Sequence, residues 1–365
     1  MGAIQKLFID HGPAYLDRFG DSMPENHRKA IEAIVGCRTA ACGITVYDCE
    51  ECGETHHFYR SCGNRHCPSC QHQKSLQWME RQLERALPGH HFMATFTVPE
   101  EIRSFIRSHQ KEAYGAMFKA SSETLKKLSL DGNYIGGDAP GFFGVLHTWG
   151  RTLTFHPHIH YVLPGGAFST EDGQWHPSWI DFYLPVKAMS KIYKAKFRDL
   201  MIEKGLFEQI QSDVWKKDWN VNVQAVGDSG QTIKYLSRYV FQVAISDHRI
   251  VKVEDGNVTF RYRKPDSRRD RLMTLDAMEF IRRFLQHVLP SGFMKIRYYG
   301  FLNPNSAVKL DVVRCAIELC NAFETETTEA AIEPVKPLCC PSCGGRLKYQ
   351  CSILPFQMPS FEDTG

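Results

Sequence analysis

The sequence predicts an α+β protein whose central antiparallel sheet is flanked by helices, with a small cysteine-rich segment near each end. Three observations support this fold class. In the middle of the chain, segments rich in aromatic and β-branched residues occur in pairs joined by short turns, which is typical of antiparallel hairpins. Helical segments separate these pairs without the repeating strand–helix–strand order of a parallel sheet. Residues 37–73 are dense in Cys, His and Gly and too poor in aliphatic residues to form a core without a staple.

Composition sets the limits of this prediction. The chain has 365 residues, enough for two or three domains, and its hydrophobic fraction of 43% and net charge of +3 are ordinary for a globular protein. No apolar run approaches the ~20 residues of a membrane span, and the N-terminus lacks the apolar core of a signal peptide. We therefore expect a cytoplasmic protein without a membrane partner. In that compartment the 13 cysteines are expected to bind metal rather than form disulfides.

The first predicted domain covers residues 1–87. Residues 1–36 have a helical pattern, including a helix after Pro24 with apolar residues spaced for one face. The cysteine-rich stretch follows, and residues 74–87 are predicted to form a helix that ends at a Pro-Gly pair.

The second predicted domain covers residues 88–302 and contains the central sheet. In chain order we expect a strand at HHFMATFTVP, a helix over about 100–130, two strands joined near Gly150, a helix over 185–213, a strand at WNVNVQAV, a helix at QTIKYLSRYVFQVA, a hairpin around Asp255-Gly256-Asn257 and a helix at LDAMEFIRRFLQHVLP. The third predicted domain, residues 303–365, contains the helix VKLDVVRCAIELCNAF, an acidic linker and the segment CCPSCGG.

Two CxxC pairs in the first domain predict a structural zinc site. Cys49 and Cys52 are followed, after 14 residues, by Cys67 and Cys70. Four thiolates suit zinc and leave no open position for water, so the site is expected to be structural. A zinc deaminase is excluded, because that family needs an H-x-E motif ahead of its P-C-x-x-C.

Further Cys and His residues supply candidates for additional zinc sites. In the first domain, a second site could use a set that includes Cys62 and His66, which lie four positions apart, although these two residues could equally be polar surface groups. In the tail, CPSCGG is half of a zinc ribbon, and its partners could be Cys315, Cys320 or Cys351. The candidate ligands are Cys37, His57, Cys62 and His66 for the second site, and Cys340 and Cys343 for the tail site.

A histidine pair on a predicted strand is the next candidate site. His158 and His160 lie two positions apart in TFHPHIHYVLP, so on a strand they point to one face while Ile159 packs into the sheet. Two imidazoles together with one oxygen donor can bind a divalent ion, manganese or magnesium. Taken alone, such a pair is more often structural.

Two tyrosines on a predicted helix are candidate nucleophiles. Tyr235 and Tyr239 lie four positions apart in KYLSRYV and therefore share one helix face. Lys234 and Arg238 lie beside them, and nearby positive charge favours the phenolate. The alternative is an aromatic stripe that packs into the core.

These motifs together resemble a known family. FTVP, HPHIH and YLSRY occur in this order behind the head CRTAACG…CEECG…SCGNRHCPSCQ and ahead of KIRYYGFLNP. In this combination, over nearly the whole chain, the sequence resembles the rolling-circle insertion-sequence transposases of bacteria, the two-tyrosine members of the HUH endonuclease superfamily. The resemblance implies an HUH nuclease domain with an RRM-like palm behind a zinc-binding domain.

The resemblance also implies an activity. Tyr235 or Tyr239 would cleave single-stranded DNA of the transposon ends and target through 5′-phosphotyrosine links, with a metal ion bound by His158 and His160. The third metal ligand stays open between Gln242, by similarity to single-tyrosine relatives, and His156.

Several basic residues are candidates for DNA contacts. Arg60 and Arg65 lie near Tyr59, which could stack on unpaired bases or pack on the zinc site. A second basic cluster could contact phosphates or form a solvated loop. The candidates are Arg60, Arg65, Lys234, Arg238, Arg268, Arg269 and Arg271.

Two other functions compete with transposition. A plasmid or phage replication initiator would use the same tyrosine chemistry. A non-catalytic zinc-ribbon protein would bind DNA or RNA, with the histidines and tyrosines only structural.

Overall fold

The structure is a computed structural model that describes residues 2–228, 230, 244–264, 267, 269–321 and 338–355. Its helices are α1 (Ala3–Phe19), α2 (Glu25–Val35), α3 (Gln71–Glu84), α4 (Arg103–Ser108), α5 (Gln110–Ser129), α6 (Val186–Glu203), α7 (Asp213–Lys216), α8 (Ala277–Leu285) and α9 (Leu310–Asn321). Within these described ranges, no helix has the length and apolar character needed to cross a membrane.

The strands confirm the predicted fold class. They are β1 (Ile44–Cys49), β2 (Thr55–Tyr59), β3 (His90–Thr97), β4 (Phe142–Trp149), β5 (Phe155–Pro164), β6 (Gly166–Phe168), β7 (Trp175–Pro177), β8 (Val221–Asp228), β9 (Ile250–Glu254), β10 (Asn257–Arg263), β11 (Asp270–Asp276), β12 (Ile296–Tyr299) and β13 (Leu347–Ile353). Every pairing between them in the described residues is antiparallel.

The chain forms two compact units, and each is assembled from separated stretches of sequence. The cysteine unit comprises Met1–Lys74, Phe241–Val288 and Ala331–Gly365. The sheet unit comprises Ser75–Val240 and Leu289–Ala330.

A five-stranded sheet in the order β12-β4-β5-β3-β8 organises the sheet unit. Its core contains side chains of α5 and α6, and Phe96 of β3 packs edge to face on Tyr161 and Tyr193 at 5.7 and 5.1 Å between ring centroids. The Tyr161 hydroxyl satisfies its hydrogen-bonding capacity with Ser121 Oγ of α5 at 2.7 Å. Because successive side chains of a strand point to opposite faces, the residues next to Tyr161 in β5 point away from this core, where polar side chains can lie.

Most elements of the sheet unit match their predictions, with four differences. The helix predicted over 185–213 ends at Glu203, and α7 follows it as a separate helix. Residues 231–243 of the predicted helix QTIKYLSRYVFQVA lie outside the described residues. The hairpin of β4 and β5 around Gly150 is confirmed. The predicted helix over 100–130 is two helices, because His109 leaves the helical conformation (φ −121°, ψ 46°). The sequence did not predict the β6–β7 hairpin or the edge strand β12, since these three strands are too short to show alternation.

Two three-stranded sheets and helices α1, α2 and α8 form the cysteine unit. The predicted hairpin of β9 and β10 is confirmed, and its turn places Asp255 and Gly256 at φ values of 50° and 70°. Helix α8 begins two residues later than predicted, because Leu275 and Asp276 belong to β11 and the carboxylate of Asp276 accepts hydrogen bonds from the backbone N–H groups of Met278 and Glu279.

The other sheet of this unit joins the two ends of the sequence. Strand β1 pairs with β2 on one side and with β13 on the other, in a register from Ile44 opposite Ile353 to Cys49 opposite Leu347. The sequence placed these residues in the third predicted domain and did not predict the strand β13. The head and the tail therefore share one sheet.

Candidate metal centres and active site

The predicted histidine pair lies on β5 as the alternation of the strand requires. Ile159 is fully buried in the core, and His158 and His160 point to the opposite face. In the register with β3, His160 lies opposite Thr95. The two imidazole rings are 4.8 Å apart between centroids.

A third histidine completes this group, and the sequence reasoning missed it. His147 of β4 lies opposite His158 in the register, and its ring centroid is 4.9 Å from that of His160. One ligand nitrogen of each ring lies within 4.8 Å of the others. Nitrogens at about 2.1 Å from one tetrahedral ion are separated by about 3.4 Å, so a pair at the 4.8 Å limit would have to approach by about 1.4 Å to share an ion.

The hydrogen bonds of the group orient the rings for metal binding. The Nδ1 of His158 donates to the backbone carbonyl of His156 at 2.7 Å, which leaves the lone pair on Nε2. The Nδ1 of His160 lies 2.8 Å from Thr95 Oγ1. We assign the ring proton of His160 to Nδ1, because His160 then has the same tautomer as His158. Such hydrogen bonds fix the direction of metal-binding imidazoles.

Burial keeps these imidazoles neutral. Desolvation lowers the pKa of His158 to about 4 and that of His160 to about 3. The pKa of His156 is also lowered to about 4 by burial and by the charge of Arg103. Neutral imidazoles are the form that binds metal, so no proton has to leave the two rings of the pair near neutral pH.

The sequence prediction named two choices for the third ligand, and the described residues include one of them. Gln242, the first choice for third ligand, lies outside the described residues. The ring of His156, the second choice, is 5.1 Å from that of His158 but is not part of the three-histidine group. Three imidazoles suit transition metals such as manganese or zinc better than magnesium, which prefers oxygen.

Arg103 is a cation beside this group. Its charge contributes to the lowered pKa of His158 as well as that of His156. Its Nη1 lies 3.8 Å from Glu100, and its Nε is buried without a hydrogen-bond partner among the described residues. The site therefore carries positive charge before any metal ion binds, which favours an anionic ligand.

Two groups of four cysteines lie in the cysteine unit. The first cysteine cluster consists of Cys37, Cys62, Cys67 and Cys70, and the second of Cys49, Cys52, Cys340 and Cys343. In the first cluster, Cys70 Sγ lies 3.4 Å from Cys37 Sγ and 3.5 Å from Cys62 Sγ. Hydrogen bonding from Cys62 lowers the pKa of the Cys67 thiol to about 5, so this cluster already stabilises a thiolate.

This grouping corrects the predicted zinc quartet. Cys49 and Cys52 flank the turn between β1 and β2, whereas Cys67 and Cys70 follow β2 and lie next to Cys37 at the end of α2. The two predicted pairs therefore belong to different clusters, and each takes its partners from elsewhere in the chain.

The predicted second zinc site is divided in a similar way. Cys37 and Cys62 are in the first cluster, but His57 and His66 are in neither cluster. His57 is exposed on β2, and the backbone N–H of His66 donates to Asn64 Oδ1.

The remaining residues, predicted as nucleophiles or as contacts to DNA, are exposed, partly buried or outside the described residues. Arg269 and Arg271 are exposed, and Arg60 and Arg65 are partly buried. Tyr235, Tyr239, Lys234, Arg238 and Arg268 lie outside the described residues.

Comparison with known proteins gives consistent similarities. A family profile described as "Transposase zinc-binding domain" matches residues 7–98, and one described as "Putative transposase" matches residues 141–309. The "Putative transposase y4qJ" of Sinorhizobium fredii is 37% identical over 321 residues, which cover 82% of this chain and 80% of that protein. The "Transposase for insertion sequence element IS801" of Pseudomonas savastanoi pv. phaseolicola is 26% identical over 356 residues, covering 89% and 83%. No solved structure matches.

Proposed function

Because this chain belongs to the IS91-type transposases, we propose that it cleaves and rejoins single-stranded DNA through tyrosine in rolling-circle transposition. One observation carries this proposal. The sheet unit brings His147, His158 and His160 together beside a cation, with His158 and His160 neutral, and this arrangement suits a divalent ion and a phosphodiester. That site lies on the strand that carries the predicted HPHIH motif.

The histidines and their partners prepare the site for a divalent ion, which when bound would polarise the scissile phosphate and stabilise its developing charge. The carbonyl of His156 and the hydroxyl of Thr95 hold the two rings of β5 in one orientation. The backbone of β5, hydrogen-bonded on both sides to β3 and β4, fixes the spacing of all three imidazoles. The protein therefore need not reorganise this part of the site when substrate binds.

Arg103 supplies charge complementary to the substrate. A phosphodiester carries one negative charge, and the buried Nε of Arg103 can donate a hydrogen bond to one of its oxygens. No carboxylate belongs to the three-histidine group, as far as the described residues extend. Binding of the DNA backbone at this site thus meets little like-charge repulsion.

We assign the nucleophile to Tyr235 or Tyr239 on the resemblance of YLSRY to the two-tyrosine motif. Attack of the phenolate oxygen on phosphorus breaks the P–O3′ bond, forms a 5′-phosphotyrosine and releases a free 3′-hydroxyl. Attack by a 3′-hydroxyl on that link reverses the exchange and returns the phenol. Each step exchanges one phosphate ester for another, so rejoining needs no ATP, and the second tyrosine permits a second cleavage while the first link persists.

Covalent adduct formation tests this proposal. The full-length protein is incubated with manganese and labelled single-stranded oligonucleotides that tile the ends of the insertion sequence, and products are separated on denaturing gels. We expect a protein–DNA adduct that is reduced in Tyr235→Phe and Tyr239→Phe and absent in the double variant. An adduct that persists at full yield in the double variant would exclude the tyrosine mechanism.

The same assay separates the two competing functions. A replication initiator would form the adduct but would not join two different DNA ends, whereas a transposase is expected to transfer one strand to a second end. A non-catalytic zinc-ribbon protein would bind the oligonucleotides without any adduct.

A further inference from the structure

We infer that the second cysteine cluster binds one structural zinc ion that joins the C-terminal segment of the chain to its cysteine-rich head. The comparisons cover only half of this site, because Cys49 and Cys52 lie within the zinc-binding profile and the other two ligands do not. The zinc-binding profile ends at residue 98 and the transposase profile at residue 309, so neither includes Cys340 or Cys343. The inference does not depend on the tyrosine chemistry.

The first support is that the two halves of the cluster have the same local fold. Each is a CxxCG turn in which the glycine has a left-handed backbone, with φ of 73° at Gly53 and 80° at Gly344. In each turn the glycine N–H donates to the carbonyl of the first cysteine, at 3.1 Å for Cys49 and 2.9 Å for Cys340. A residue with a Cβ is strained at such a φ, so glycine is the residue that lets both turns form. Paired turns of this kind are the ligand-bearing halves of a zinc ribbon.

The sulfur atoms have the spacing of a tetrahedral site. Cys49 Sγ lies 3.4 Å from Cys343 Sγ, and Cys52 Sγ lies 3.8 Å from Cys340 Sγ, so each close pair joins the head turn to the tail turn. Four sulfurs at about 2.3 Å from zinc are separated by about 3.8 Å, which these distances approach. A disulfide needs about 2.05 Å, and all four cysteines have free thiols.

Hydrogen bonds to sulfur provide the surroundings that a thiolate site requires. His56 Nε2 lies 3.1 Å from Cys340 Sγ, and the backbone N–H of Cys52 lies 3.5 Å from Cys49 Sγ. Donors of this kind offset the negative charge of four thiolates around one zinc ion. The Nε2 of His56 is therefore assigned as a donor to sulfur rather than as a metal ligand.

The apolar core beneath the cluster is too small to hold it closed. It consists of Cys49, Cys340 and Leu347, with Tyr47 and Phe58 partly buried against them. A core of this size does not offset the conformational entropy of the ordered segment, and small domains of this kind depend on a metal staple. Zinc would thus supply the folding free energy that the hydrophobic contacts do not.

Metal stoichiometry of the full-length protein tests this site. Elemental analysis combined with X-ray absorption should find two sulfur-bound zinc ions per chain, one with four sulfurs in each cysteine cluster, counted apart from any zinc at the three-histidine group. The double variant Cys340→Ser/Cys343→Ser should hold one. The matched control Cys315→Ser/Cys320→Ser, which removes two exposed cysteines of α9, should keep two.

Three further variants distinguish loss of the zinc site from misfolding and from a different ligand set. Cys343→His retains a zinc ligand and should restore the count to two, whereas Cys343→Ala should give one. His56→Ala should keep two zinc ions, released at least several-fold faster to a chelator. The inference is overturned if the wild-type chain holds a single zinc, if the tail double variant keeps two, if Cys343→His stays at one, or if His56→Ala loses one.

Discussion

Replacing His147 by alanine tests the candidate metal ligand that only the structure revealed. His147 is 4% exposed on β4, and its imidazole is one of three whose ligand nitrogens lie within 4.8 Å of one another. The variant removes one of three candidate ligands and leaves the β4–β5 hydrogen bonds intact, since these are made by the backbone. The sheet should therefore persist while the affinity for the metal ion falls.

The expected magnitude follows from the role of the lost atom. Removing a residue that only orients a metal ligand typically costs about 10- to 100-fold in affinity. Loss of a ligand itself should cost at least about 100-fold, or about 2.7 kcal/mol. The manganese concentration that gives half-maximal DNA cleavage should rise by that factor.

A manganese titration of oligonucleotide cleavage measures this shift, and His156→Ala is the matched control. His156 lies on β5 with its ring 5.1 Å from that of His158, but it contributes its backbone carbonyl, which alanine retains. We expect a shift of less than about threefold for this variant. If His156→Ala raises the manganese requirement and His147→Ala does not, the ligand assignment is wrong, and Gln242→Leu becomes the next variant to titrate.

Two other predictions follow from the same site. Thr95→Val removes the hydroxyl that lies 2.8 Å from His160 Nδ1. The manganese concentration needed for half-maximal cleavage should rise about 10-fold, while cleavage at saturating manganese stays unchanged. Equal titration curves for the variant and the wild type would mean that this hydrogen bond does not orient the ring. Burial lowers the pKa of His158 from 6.5 to about 4, so as pH falls below 6.5 the unfolded chain binds a proton first, and His158 alone should lower the free energy of unfolding of the metal-free sheet unit by about 3 kcal/mol between about pH 7 and about pH 4, in addition to the shares of His156 and His160. Tryptophan fluorescence during urea unfolding reports this unit, because all 6 tryptophans lie in it, and His158→Ala should reduce the pH dependence by that share; an equally steep dependence in the variant would mean that His158 does not contribute to it.

The sequence predicted the elements and the pair of ligands that depend on local pattern. Alternation placed His158 and His160 on one face of β5, and the turn signals placed both main hairpins. His147 depended on the register across the β4–β5 hairpin, which is irregular between His147 and Trp149. Counting outward from Gly150 without that irregularity does not place His147 opposite His158, so its role could be found only from the structure.

The grouping of the cysteines failed for a different physical reason. CxxC pairs look alike in sequence, and their partners are chosen by strand pairing between β1 and β13, which are separated by most of the chain. One local signal was present. Gly53 and Gly344 follow their pairs, whereas Gln71 follows Cys70 and begins a helix, so the two pairs that share a glycine turn belong together.

The pairing of β1 with β13 also has a consequence for synthesis of the protein. A ribosome makes β1 early and β13 only after the intervening residues 50–346 have been translated, which takes roughly 15 to 60 s at bacterial rates. During that interval β1 has β2 on one side and an open edge on the other. A nascent or prematurely terminated chain thus lacks a complete head sheet, and only a chain translated through β13 can form all three strands of it.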